Sequence, residues 1–125
     1  MKKIINLTQH PATPEQLAAG VFDLDGDNLA KLKNLLTFNE PPCGMKLCNR
    51  AISIAVLADL TRAKIAMIGG APFLMAQLED KLMIFGLKPV YAFSKRESVE
   101  TVQPDGTVKK TAVFKHVGFV QACRL

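Results

Sequence analysis

Residues 64–72 read KIAMIGGAP: a continuous apolar run, then two adjacent glycines, then a proline where a helix begins. A strand with no polar alternation is one covered on both faces, which is the habit of parallel sheets in α/β proteins. The run therefore constrains the fold more than any other stretch. Gly69 and Gly70 after it admit two readings: a tight turn into the helix, or a ligand brought close to the backbone.

The rest of the chain alternates in the same way. Ile4-Ile5-Asn6-Leu7 reads as a short buried strand. Thr13-Pro14-Glu15-Gln16 is a helix start, with a threonine cap, proline at the first helical position and glutamine in the capping-box place. Gly20 suits a left-handed stop, and VFDLD (21–25) a short strand at a sheet edge. Leucines 29, 32, 35 and 36 recur at helical spacing over residues 28–37, and residues 46–62 repeat the pattern after the loop NEPPCG. Leu74, Leu78, Leu82 and Phe85 mark a further helix ended by Gly86, with Pro89 beyond it. PVYAFS (89–94) is the next strand. ESVETV, the turn QPDGT and VKKTAVFKHVGFVQ then form a hairpin, with Pro104 and Asp105 central to a type I turn and Gly106 in the left-handed position after it.

Strands alternating with helices require right-handed crossovers and a parallel sheet. The expected architecture is one Rossmann-like α/β domain over residues 1–125: a three-layer sandwich on a mostly parallel sheet, with a C-terminal antiparallel hairpin at one edge. A chain of 125 residues is long enough for one core. No apolar stretch nears the roughly 20 residues of a membrane span, and the N-terminus lacks the apolar core of a signal peptide. Cys43, Cys48 and Cys123 are odd in number and not spaced for zinc, so free thiols in the cytoplasm are expected. The net charge of +5 suits an anionic partner and equally serves solubility. Tryptophan is absent and no basic stripe with interleaved aromatics is evident, which argues against duplex DNA. Met67, Met75 and Met83 read as core filler, and Lys109, Lys110, Lys115 and His116 as water-facing residues of the hairpin.

In open α/β sheets ligands bind beyond the carboxyl ends of the strands, near the reversal of strand order. Three segments follow central strands: Thr8, Gln9 and His10; Gly69, Gly70 and Ala71; Ser94, Lys95, Arg96, Glu97 and Ser98. Parallel, neighbouring strands would open all three onto one rim. Thr8, Gln9, Ser94 and Ser98 are then hydrogen-bonding groups for a ligand. Arg96 is a phosphate fork, Lys95 a charge neutraliser and His10 a proton carrier near neutral pH. No P-loop lysine follows the glycines, and no metal-spaced cluster is present.

A strand leading into GG, a helix and then an apolar strand with an aromatic, VYAFS, resembles the CRISPR-associated Rossmann-fold (CARF-like) sensor domains. The opening NLTQHPATPEQ is similar to the start of small ring-nuclease-like proteins related to them, the likeness covering residues 3–17 and 64–98. The resemblance implies a homodimer that binds a cyclic oligoadenylate at the carboxyl ends of its strands, with no cofactor and no metal. It also implies roles. The amides of Gly69 and Gly70 and the side chains of Thr8 and Gln9 hold phosphates and riboses. Lys95 and Arg96 stabilise the phosphorus as a ribose 2′-hydroxyl attacks in line, and His10 transfers a proton. Those domains commonly carry a threonine or serine and a lysine after the glycines; this chain has Ala71 and Pro72, so the cation's part falls to Lys95 or Arg96. Two other readings are a non-catalytic sensor or sequestering module for a small anionic nucleotide, and a structural or interaction protein whose rim is incidental.

Overall fold

The computed structural model of the chain describes residues 2–122. Its elements run β1 (Ile4–Asn6), α1 (Pro14–Ala18), β2 (Val21–Asp23), α2 (Gly26–Leu36), α3 (Gly44–Leu60), β3 (Ile65–Met67), α4 (Pro72–Ile84), β4 (Lys88–Val102) and β5 (Val108–Gln121). They form one mixed sheet in the order β2-β1-β3-β4-β5, parallel except for the antiparallel β4–β5 hairpin. The chain steps from β1 outward to β2, then back across to β3, so the strand order reverses between β1 and β3.

Local chemistry sets the boundaries. Thr13 accepts a hydrogen bond from the Gln16 amide at 3.2 Å, while Gln16 returns one from the Thr13 amide at 3.0 Å. This reciprocal box satisfies two donors that a helix start would otherwise leave open. Gly20 follows α1 at φ 101°, as a left-handed stop requires. Arg50 of α3 donates to the carbonyls of Leu35 and Thr37, capping α2 from outside, and its guanidinium lies 4.3 Å from the Phe38 ring centre.

Two apolar clusters sit on opposite faces of the sheet. On one, Leu32 and Leu36 of α2, Ile54, Ala55 and Ala58 of α3, and Leu74, Leu78 and Leu82 of α4 close over Ile5, Leu7, Ala66 and Ile68. The other is smaller: Ile4, Val21, Met67 and Val90, with Ala12 and Phe119 against them. A right-handed β1–α1–β2 crossover runs the opposite way to the β2–β3 and β3–β4 crossovers, which puts α1 on this second face. Three helices thus cover one side and a five-residue helix serves the other. Met67 and Met75 are buried, as core filler should be, while Met83 is only half-buried. Among the described residues no helix is long and apolar enough to cross a membrane.

The hairpin departs from the sequence expectation in one respect. PVYAFS and ESVETV are not a sheet strand and a later hairpin strand joined by a loop. They are one strand of 15 residues. β3 pairs with β4 only at Lys88–Val90, and beyond that β4 continues with β5 alone as a two-stranded ribbon that leaves the rim. Polar residues at 94–98 signal a loop within a sandwich, but a ribbon with both faces in solvent accepts them equally well. A bulge lies at Phe93/Ser94, where Val117 has no opposite number. At the tip, the side chain and amide of Thr107 donate to the Asp105 carboxylate at 2.6 and 3.0 Å, holding its pKa below the usual value. Cys43 and Cys48 are free thiols, and Cys123 lies outside the described residues.

Burial on the helical face predicts unequal costs for two leucines. Leu78→Ala should lower the unfolding free energy by about 2–5 kcal/mol in urea titration. Leu60→Ala, 70 % exposed on α3, should change it by no more than about 0.5 kcal/mol. Equal losses would contradict the packing described.

Candidate functional site

The rim at the β1/β3 reversal is built around one residue. Asn6 is the last residue of β1 and is 3 % exposed, the one polar side chain buried with the described core. Its amide nitrogen donates to the Asp23 carboxylate and to the His10 carbonyl, each at 2.8 Å. Its amide oxygen accepts from the Thr8 amide at 2.9 Å and the Thr8 hydroxyl at 2.7 Å. A backbone N–H can only donate, so the Thr8 contact fixes which way the Asn6 amide faces. Asp23 stands directly beside Asn6 in the β1–β2 register and also accepts from the Ala12 amide at 3.1 Å. Two side chains at the ends of two strands therefore pin the loop from Thr8 to Ala12.

Beside this loop lies a cleft of about 450 Å³. Thr8, Gln9, His10 and Pro11 form one wall, Thr13 and Gln16 of α1 the end, Met67, Ile68, Gly69 and Gly70 the floor, and Tyr91 and Ala92 the far side. Tyr91 is held by its hydroxyl, which donates to Glu79 of α4. The pinned loop separates this cleft from a second hollow of about 110 Å³ over Asp23, Leu29 and Lys33.

The two glycines have different explanations. Gly70 sits at φ 143°, a conformation side chains rarely adopt, so local geometry accounts for it. Gly69 has no such need. A Cβ there would lie 3.5 Å from the Thr8 methyl, an ordinary contact, so the fold does not demand glycine at this point of the cleft lining. Ala71 is the N-cap of α4 with Pro72 next, and no side chain caps that helix. Among the described residues the amides of Gly69, Gly70 and Ala71 make no hydrogen bond. They face the end of a 13-residue helix where negative charge is favoured.

The structure brings Thr8, Gln9, His10, Gly69 and Gly70 together at the cleft, with Ala71 one residue beyond its floor. Lys95, Arg96, Ser94 and Ser98 are elsewhere, on the ribbon and outside the lining. The lining holds no lysine, arginine, aspartate or glutamate; the groups it offers are backbone amides, the side chains of Thr8, Gln9, Thr13 and Gln16, and the His10 imidazole. Some polar groups are already engaged: the Thr8 hydroxyl with Asn6, the Gln9 amide nitrogen with Thr37 at 3.3 Å, and the Gln16 oxygen in the capping box. The His10 ring and the Gln16 amide nitrogen have no partner among the described residues.

Sequence reasoning missed Asn6, Asp23, Thr13, Gln16 and Tyr91 as site-forming residues. Asn6 carried a readable sign, as the lone polar residue in an otherwise apolar strand. Thr13 and Gln16 were recognised as a cap, and only the crossover of α1 brings them to the cleft.

Two substitutions test this construction. Asn6→Ala leaves the Thr8 amide and the Asp23 carboxylate without their partner and should cost about 1–3 kcal/mol in chemical denaturation. Gly70→Ala should cost about 1–3 kcal/mol through backbone strain, whereas Gly69→Ala should leave the unfolding midpoint nearly unchanged. Equal penalties at the two glycines would contradict the distinction.

A family model described as "Uncharacterized protein MJ1673 family" matches residues 2–120, the sheet and almost all of the ribbon. No curated protein and no solved structure matches the chain.

Proposed function

Because the chain belongs to the MJ1673 family, whose description names no activity, we propose its function from the cleft itself: binding of a small nucleotide of the nucleoside-monophosphate class. The observation that carries the proposal is a cleft lined by Gly69 and Gly70, whose amides, with that of Ala71 at the start of α4, make no hydrogen bond among the described residues. One phosphate is the charge such a donor set can hold without a cationic side chain. The apolar patch of Pro11, Met67, Ile68 and Ala92 suits the face of a base, and the free nitrogen of Gln16 and the ring of His10 suit its edge or the ribose. About 450 Å³ matches one nucleotide. A cyclic oligoadenylate exceeds a single cleft and would need two brought together.

Binding rather than cleavage is the reading the lining favours. In-line attack at phosphorus gathers negative charge, and a cation at that point supplies much of the stabilisation. Lys95 and Arg96, the cations expected there, stand on the ribbon. The same reading assigns the protein to the cytoplasm, where nucleotides are abundant and thiols such as Cys43 and Cys48 stay reduced.

Thermal denaturation of the full chain against nucleosides, nucleoside mono- and triphosphates and labelled cyclic oligoadenylates tests this. A monophosphate at 100 times its dissociation constant should add about 2.7 kcal/mol of stability. Gly69→Val, folded as judged by circular dichroism, should lose that gain. No stabilisation by any compound, or undiminished binding by Gly69→Val, would refute the proposal. A cyclic oligoadenylate recovered cleaved would move the assignment to the catalytic reading.

A further inference from the structure

We propose that the β4–β5 ribbon is a dimerisation arm whose occupant is the ribbon of a second copy of this chain, packed face to face about a two-fold axis. Beyond Val90 the ribbon has no third strand among the described residues, and isolated two-stranded hairpins are marginally stable in water. Yet it bears large apolar side chains in the open, Phe114 at 75 % and Val102 at 72 % exposure, with Val108 across from Val102. Lysines at 109, 110 and 115 along β5, and Lys95, Arg96, Glu97 and Glu100 along β4, discourage strand addition at either edge. That leaves the faces.

One face is self-complementary. The cross-strand register places Ser94 with His116, Arg96 with Phe114, Ser98 with Ala112, Glu100 with Lys110 and Val102 with Val108, all pointing the same way. Ser98 and Ala112 make a small rung at the middle, where two ribbons can approach closely. Arg96 and Glu100 stand equal distances on either side of it along β4, and Phe114 and Lys110 do so along β5. A two-fold axis across that rung sets Arg96 of one protomer over Glu100 of the other, and Phe114 over Lys110. The first pair is an ion pair and the second a cation on an aromatic face. Among the described residues of one chain Glu100 meets Lys110 alone, at 3.7 Å and largely in solvent, so it can take the second partner. The ribbon beyond the rim is about 30 Å long and 10 Å wide, a footprint on the order of 300 Å² per protomer, which suits a small, reversible interface held by its charge pairs.

The test is a charge exchange in the full chain, read by sedimentation at micromolar concentration. The wild type should have twice the 13.6 kDa mass of one chain. Arg96→Glu and Glu100→Arg, each folded by circular dichroism, should weaken association at least about tenfold. The double variant Arg96→Glu/Glu100→Arg should recover it. A monomeric wild type, single variants that associate as tightly as the wild type, or a double variant that stays apart would overturn the proposal. So would a monomer whose ribbon instead binds an RNA oligonucleotide.

Discussion

The site depends on one side chain with four hydrogen bonds. Asn6 is buried at the end of β1, an interior strand of the sheet, where an unsatisfied amide would cost about 1–3 kcal/mol. All four of its hydrogen-bonding positions are occupied, and the partners belong to the next strand and to the loop that follows its own. The requirement to satisfy one buried amide thereby fixes the backbone from Thr8 to Ala12. That loop is the wall between the two hollows, and the larger of them exists because the wall is held in place. The shape of the cleft and the folding of the sheet are coupled here through a single polar group.

How much of this could be read from the sequence follows from the range of the interactions involved. The layers, the helix starts and the parallel sheet were legible because they rest on local periodicity and capping: KIAMI, Thr13-Pro14-Glu15-Gln16 and the leucines of α4 each carry their own signal. Half of the rim was legible for the same reason, since loops after parallel strands open on one side. The remainder was not. Lys95 and Arg96 were expected on a rim loop because polar residues after an apolar strand usually form one. Whether such residues turn or run on depends on the partner strand, and β5 pairs with them along the whole length. The role of Asp23 is set by β1–β2 register, which no local pattern encodes.

Moving the cations onto the ribbon changes the chemistry that the cleft can perform. A lining of amides, hydroxyls, one imidazole and apolar carbon is suited to holding and orienting a ligand, but it offers little to a pentavalent phosphorus. The glycine pair also divides: the backbone conformation accounts for Gly70, whereas no local strain requires Gly69. The base of the ribbon, Tyr91 and Ala92, still lines the cleft, while its exposed apolar and charged side chains farther out are those that the proposed pairing with a second ribbon would cover.

The central claim is that a nucleotide phosphate rests on the amides at the start of α4. Titration of the ¹⁵N-labelled protein with adenosine monophosphate, followed residue by residue in amide correlation spectra, addresses it directly. The account predicts the largest shifts at Gly69, Gly70 and Ala71, with smaller ones at Thr8 and Gln16. Shifts confined to Lys95, Lys109 and Lys115 of the ribbon, or a spectrum unmoved by the nucleotide, would contradict it.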